Sequence, residues 1–210
     1  MKQIVLITQG SQAISLVRTL FALGYKPNQI LVFTTNEEKN KCFIDFLSYY
    51  KIYAFNSHDF FSAKEDDSLV ISYSNINKIK INNNSTFINF HPGILPEYKG
   101  SLSTAHSMIN NEKHVGGTWH YMTDKIDSGN VLHKFKIKIK EHDTAFSLNH
   151  KIFNKSIECL EQVLNMVKTK DKGKPQTSKG KFYYNKFPDI SKLNTDLQKR
   201  INYFPPNFIK

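Results

Sequence analysis

Cysteine and tryptophan are nearly absent from this chain, acid is short, and no long apolar run occurs; each shortage removes a class of explanation. Two cysteines in 210 residues, Cys42 and Cys159, with no CxxC spacing, build neither a disulfide framework nor a thiolate metal site, so both are expected to be packing residues. The eight histidines show no H-x3-H or HExxH spacing, and no metal is expected. No stretch approaches the roughly 18 consecutive apolar residues of a membrane span, and MKQIVLITQGSQ turns polar too early for a signal peptide. A cytoplasmic protein with no membrane association is the expectation. Lys and Arg total 29 against 18 Asp and Glu, for a formal charge of +11. The excess collects at the end, where residues 165–210 hold 11 Lys and Arg against three Asp. That bias invites a phosphorylated or polyanionic partner, although a sequence that simply spends Lys and Asn on solvated surfaces accounts for it equally well. The tail lacks an aromatic-glycine RNA-binding motif, so nucleic acid is disfavoured.

What is present reads as alternating strands and helices. QIVLIT (3–8) ends at Gly10-Ser11 and is followed by Ile14, Val17, Leu20 and Phe21 at helical spacing. QILVFTT (29–35) is a second strand, Asn36 a candidate N-cap, and Phe43, Phe46, Leu47 and Tyr50 the inner stripe of a second helix. IYAF (52–55), SLVISYS (68–74) and TFINF (86–90) are further short strands. Continuous apolar strands alternating with helices indicate an α/β fold, Rossmann-like, its mostly parallel sheet covered by helices on both faces. After residue 91 the pattern changes. GGTWHYMT (116–123) and VLHKFKIKI (131–139) alternate and flank KIDSGN, as antiparallel edge strands do. A long amphipathic helix is expected from about Thr144 to Val167. Residues 1–167 thus form the expected main α/β domain and 168–210 a basic, aromatic extension that could belong to the same domain.

The segment INFHPG (88–93) puts two polar side chains where a site would be built. Side chains at i and i+2 of a strand share a face, so Asn89 and His91 leave the strand end together while Phe90 turns to the core. Pro92 holds His91 extended, and Gly93 lets the chain turn away without a side chain in the cleft. Ligands of open parallel sheets bind beyond the carboxyl ends of the strands, which is where this pair falls.

Residues 86–132 resemble the catalytic core of the folate-dependent formyltransferases. The resemblance rests on three linked motifs in order: N-x-H-P-x-x-L-P-x-[YF]-[KR]-G, G-x-T-x-H and D-x-G-x-[IV]. It implies transfer of a formyl group from 10-formyltetrahydrofolate to an amine, with the family's Asn-His-Asp triad at Asn89, His91 and Asp127. A carboxylate suits the proton an attacking amine must lose, and amide and imidazole donors suit the oxyanion that forms. The family binds the pterin largely through backbone groups, which implies Ser72, Tyr73, Ser74 and Asn75, and Asp124, Lys125 and Ile126, as the folate site.

Family members divide by acceptor. The methionyl-tRNA enzyme carries an additional C-terminal domain for which this chain ends too early. The glycinamide ribonucleotide enzyme would place its substrate phosphate near Gly10 and Ser11. A hydrolase releasing formate would keep the triad. SMINNEKHVGGTWHYM, FYYNKFP and LQKRINYFPP are similar to segments of the sugar N-formyltransferases, with Asn111 where Gly is usual. That likeness implies a nucleotide-linked amino sugar as acceptor, with Tyr98 and Lys99 as candidate substrate contacts. The aromatic tail is also open to a homodimer contact.

Overall fold

A computed structural model describes residues 3–35, 40–62, 67–73, 79–82, 84–184 and 187–202, the side chains of His58, Phe61 and Ser62 excepted. Its centre is a seven-stranded sheet in the order β3-β2-β1-β4-β5-β7-β8. The parallel part comprises β1 (Ile4–Thr8), β2 (Ile30–Thr34), β3 (Ala54–Asn56), β4 (Leu69–Tyr73) and β5 (Thr86–His91). β7 (His114–Tyr121) then runs antiparallel to β5, and β8 (Val131–Lys138) antiparallel to β7. β1 and β4 are buried throughout and continuously apolar, but the α-helices expected on both faces lie on one, against Leu6 and Ile71; Phe60 of the 3-10 turn Ser57–Ser62 and Ile79 cover Val5, Ile7 and Val70 on the other. β8, at the edge, alternates instead over its second half: Phe135 is buried and Ile137 half-buried between exposed Lys134, Lys136 and Lys138.

The helices are α1 (Gln12–Ala22), α2 (Lys41–Tyr49), α3 (Ser103–Ile109), α4 (Ala145–Glu158), α5 (Leu160–Lys168) and α6 (Thr195–Asn202). α1 buries Ala13, Leu16, Val17 and Leu20, one stripe at three- and four-residue spacing. The single long helix expected over 144–167 is two, joined at Cys159, whose ψ opens to −7°. The buried stripe runs through the joint from Leu148, Ile152 and Ser156 to Leu160, Val163 and Val167, so periodicity alone registers one helix. Cys159 packs in the core as expected, whereas Cys42 is exposed. The buried face of α2 is set by Phe43 and Leu47, and Cys42, one residue earlier, is turned about 100° off that face. The candidate cap Asn36 lies outside the described residues. Asn40 precedes α2 instead, 1% exposed, and its side chain ties two turns together: Oδ1 accepts the Gly10 N–H at 2.7 Å and Nδ2 donates to the Thr35 carbonyl at 2.8 Å.

Aromatic packing fixes β5. Phe90 lies 5.1 Å from Trp119 of β7 and 5.5 Å from Phe153 of α4, while Tyr73 of β4 stacks on Trp119 at 5.9 Å. Such pairs contribute about 0.5–1.5 kcal/mol each beyond the area they bury. Trp119 is completely buried, and its indole N–H donates to the Ser156 carbonyl at 3.1 Å.

The segment after α5 returns to the sheet. Val131 and Lys174 exchange two backbone hydrogen bonds of 2.8 Å. β9 (Lys181–Tyr183) then pairs in parallel with β6 (Tyr98–Gly100) as a separate two-stranded sheet. Ile201 of α6 is fully buried in the main core.

Candidate active site

One parallel and one antiparallel register meet at the end of β5. Ser72 pairs with Asn89, and Asn89 with His120, so these three form a row across β4, β5 and β7 on one face of the sheet. Tyr73 pairs with Phe90 and falls on the opposite face, in the aromatic core. Beyond Asn89, His91 aligns with Thr118. Thr118 holds the turn that follows: its hydroxyl donates to the Gly93 carbonyl at 2.8 Å and accepts the Leu95 N–H at 3.1 Å. Gly93 is required by space, since a Cβ there would overlap His91 Nε2 and stand 2.7 Å from both Ser103 Oγ and the Tyr98 carbonyl oxygen.

The hydrogen bonds fix the two imidazoles. His91 Nε2 lies 2.6 Å from the Tyr98 carbonyl oxygen, and His120 Nδ1 lies 2.7 Å from the Tyr121 carbonyl oxygen. A carbonyl only accepts, so each of those nitrogens carries its proton. The other nitrogens, His91 Nδ1 and His120 Nε2, face Asp127, at 3.4 Å from Oδ2 and 3.5 Å from Oδ1. Asn89 Nδ2 completes the cluster 3.2 Å from His120 Nε2. Asp127 Oδ2 also accepts the Gly100 N–H at 2.7 Å.

Asp127 is 7% exposed, and burial pushes its carboxyl upward. The neighbouring His91 and His120 and the Gly100 N–H outweigh that and hold it at about 2. Burial dominates at His91, lowering its value despite the attraction of Asp127. At neutral pH the cluster therefore sets a carboxylate beside the unprotonated Nδ1 of His91, a buried negative charge with room for one proton. Such a group accepts a proton from a nucleophile bound against it.

The cluster opens into a cavity of about 470 Å³, within the size range of small-molecule sites. Ser72, Asn89, His91, Asp124, Lys125, Ile126 and Asp127 line it, so seven of the residues singled out in the sequence come together. Tyr73 does not, for the register reason above; its hydroxyl bonds to Ser156 Oγ at 3.0 Å. Ser74 and Asn75 lie outside the described residues. Gly10 and Ser11 stand at the β1–α1 turn, where only their neighbour Gln9 reaches the cavity. Tyr98 turns its ring away to Glu112, with the hydroxyl 2.8 Å from Oε1, and meets the site through its carbonyl. Lys99 is 9% exposed and its ammonium donates to Ser128 Oγ at 3.3 Å, beside the Asp127 turn. Sequence reasoning assigned no part to His120, although the G-x-T-x-H motif contains it. It also missed Phe182, which brings the C-terminal tail into the cavity wall. A three-residue strand pairing across some eighty positions leaves no local pattern to read.

The formyl transferase family matches residues 70–164, the stretch from β4 into α5 that holds Asn89, His91, His120 and Asp127. Residues 70–164 are thus a formyl transferase domain. GDP-perosamine N-formyltransferase of Brucella melitensis biotype 1 is 29% identical over 209 aligned positions, covering 90% of this chain and 80% of that one. Among solved structures, WlaRD, a sugar 3N-formyl transferase crystallised with dTDP and 5-N-formyltetrahydrofolate, superposes with a TM-score of 0.80 at 19% identity, over 95% of this chain and 78% of that one. The N-formyltransferase of Helicobacter canadensis, in complex with folinic acid and dTDP-3-aminofucose, gives 0.77 at 18% identity, over 95% and 80%. These two likenesses speak to the fold.

Proposed function

We propose that this protein transfers the formyl group of 10-formyltetrahydrofolate to the amine of a nucleotide-linked amino sugar. The observation that carries the reading is the buried carboxylate–imidazole cluster, Asp127 with His91 and His120, opening beside Asn89 into one cavity. The cavity's composition suits the folate: Ile79, Met122 and Phe153 offer apolar surface to a flat ring, and Ser72 and the Asp124–Asp127 segment offer hydrogen-bonding groups at its edge.

Bound there, the folate supplies an activated formyl carbon. Asp127 and its imidazoles take the proton released as the amine adds to that carbon, and return it to the departing folate nitrogen. The new bond joins the formyl carbon to the sugar's amine nitrogen, and the broken one is the link of that carbon to the folate nitrogen. Asn89 Nδ2 has a second hydrogen, beyond the one aimed at His120, to donate to the oxygen that becomes negative. His91 Nε2 is engaged by Tyr98, so His91 acts through Nδ1, which becomes a cation beside that oxygen once it holds the proton. One such donor is typically worth about 10²–10³ in rate.

The sugar-nucleotide acceptor draws support from the Brucella relative, named for GDP-perosamine, and from the dTDP-sugar in the Helicobacter canadensis complex. The glycinamide ribonucleotide alternative needs the β1–α1 turn for a phosphate, and there the Gly10 N–H is already taken by Asn40 at 2.7 Å. The test is steady-state release of tetrahydrofolate against a panel of GDP- and dTDP-linked 3-amino and 4-amino sugars, with glycinamide ribonucleotide alongside. Amine-dependent turnover with an amino sugar is the expected result. Turnover only with glycinamide ribonucleotide, or formate release with no amine present, would overturn it.

A further inference from the structure

The groups that orient the cluster come from two places, the Asp127 turn and β6, and one segment touches both. Asp127 has φ +50°, in the left-handed region that non-glycine residues occupy at a cost of roughly 1–2 kcal/mol. A residue stays in such a conformation when its surroundings over-determine it. Here the fastening comes from the chain beyond α5. Gln176 Nε2 donates to the Asp127 carbonyl at 3.0 Å and to the Gly129 carbonyl at 2.9 Å, so a single amide bridges both ends of the Asp127–Gly129 turn. The paired backbone bonds of Lys174 with Val131 anchor the segment just before it, and Asn130 Nδ2 donates to the Lys172 carbonyl at 2.8 Å.

A few residues later the same segment becomes β9 and grips β6. Tyr183 stacks on Tyr98 with ring centroids 5.4 Å apart and planes within 7°, and the His106 ring lies 4.1 Å from it. Asn110 Nδ2 donates to both tyrosine hydroxyls at 3.1 Å. Gly100 admits β9 at this closeness, because a Cβ there would overlap the Tyr183 carbonyl. β6 is the strand whose Tyr98 carbonyl holds His91 and whose Gly100 N–H holds Asp127.

We propose that residues 174–183 are a positioning strap for the cluster, acting through the Gln176 fork on the Asp127 turn and the Tyr183 stack on β6. The inference rests on the formyl-transfer reading above. Gln176 and Tyr183 are positioning residues: neither lines the cavity, and what they set is the distance and angle of Asp127 to His91. Loss of either hold lets the carboxylate drift, and ångström-scale drift of a reacting group lowers turnover without altering how the substrates bind.

The experiment compares wild type, Gln176→Met, Tyr183→Leu and Tyr183→Phe for kcat, for both KM values and for thermal midpoint. Met keeps the length of Gln without its donors, and Phe keeps the stacked ring without its hydroxyl. Gln176→Met and Tyr183→Leu are expected to lower kcat about 10- to 100-fold with little change in KM, while Tyr183→Phe stays near wild type. Unchanged kcat in Gln176→Met, or a loss explained wholly by KM or by the unfolded fraction, would overturn the proposal. If Gln176→Met fails to fold, the Tyr183 pair decides: equal activity of Phe and Leu would overturn it as well. Wild-type turnover separates the two ideas, because its absence with every acceptor defeats the formyl-transfer reading and the strap with it, whereas an active wild type with indifferent variants defeats the strap alone.

Discussion

Replacing Asp127 by Asn removes the cluster's charge and leaves its shape, which makes the consequences calculable. The Gly100 N–H, 2.7 Å from Oδ2, needs an acceptor, so the new amide must put its oxygen there and its NH₂ toward His120 Nε2. The turn therefore survives and the fold is expected to hold. The proton acceptor does not survive. General-base contributions run about 10²–10⁴, and kcat should fall by that factor with folate affinity little changed. A second readout comes from linkage. Asp127 has an ordinary value of 3.8 and is held at about 2 in the folded protein, so its contribution to stability is complete above pH ~4 and is lost as pH falls toward ~2. The depression corresponds to about 2 kcal/mol, and the Asn variant should lack that acid-sensitive share. Losing the carboxylate also removes the attraction that raises His91, so the His91 ring should titrate still lower by NMR. The assays are tetrahydrofolate release across pH, urea unfolding between pH 5 and 2, and ring-proton titration. A variant with kcat within about threefold of wild type, or with His91 titrating higher, would refute the reasoning.

Four further outcomes follow from the same geometry. Asn89→Ala should lower kcat about 10²–10³ while leaving the thermal midpoint near wild type, as measured by steady-state kinetics beside calorimetry. Gly93→Ala should displace the His91 ring, since the added methyl overlaps Nε2; near-normal kcat would show that the turn has more room than the structure gives it. Tyr73→Phe removes the hydroxyl bond to Ser156 inside the core and should cost about 0.5–1.5 kcal/mol in chemical denaturation, with folate binding by titration calorimetry unaltered. His91 is buried and titrates below 6.5, so the unfolded chain takes up its proton first. Stability should thus decline as pH falls from about 7 to 5, and His91→Asn should flatten that decline in urea titrations.

The parts of this site that were legible in the sequence are those written within one strand or one loop. Asn89 and His91 share a face because strand period is two, and KIDSG announces its turn. The strands β1 to β5 and the antiparallel character of β7 and β8 were likewise visible in hydrophobic patterning, whereas the order β3-β2-β1-β4-β5 was not. His120 was not assigned a part because its membership depends on which residue of β7 lies beside Asn89, a register 31 positions apart. The same parity separates Ser72, which reaches the cavity, from Tyr73, which cannot. Gln176, Phe182 and Tyr183 sit in a stretch whose composition reads as loop; the Val131–Lys174 bridge brings the first to the site, and the pairing of β9 with β6 brings the other two. The joint at Cys159 escaped because the buried stripe crosses it unbroken.

The central claim is that this cavity moves a formyl group from folate nitrogen to sugar nitrogen. The most direct measurement supplies 10-formyltetrahydrofolate with an isotopically labelled formyl carbon and a nucleotide-linked amino sugar, and follows the label by NMR. The account requires the label to appear as an N-formyl amide on the sugar with wild type and to stay on the folate with Asp127→Asn. Label recovered as free formate, or transfer of equal rate in the Asp127→Asn variant, would contradict it.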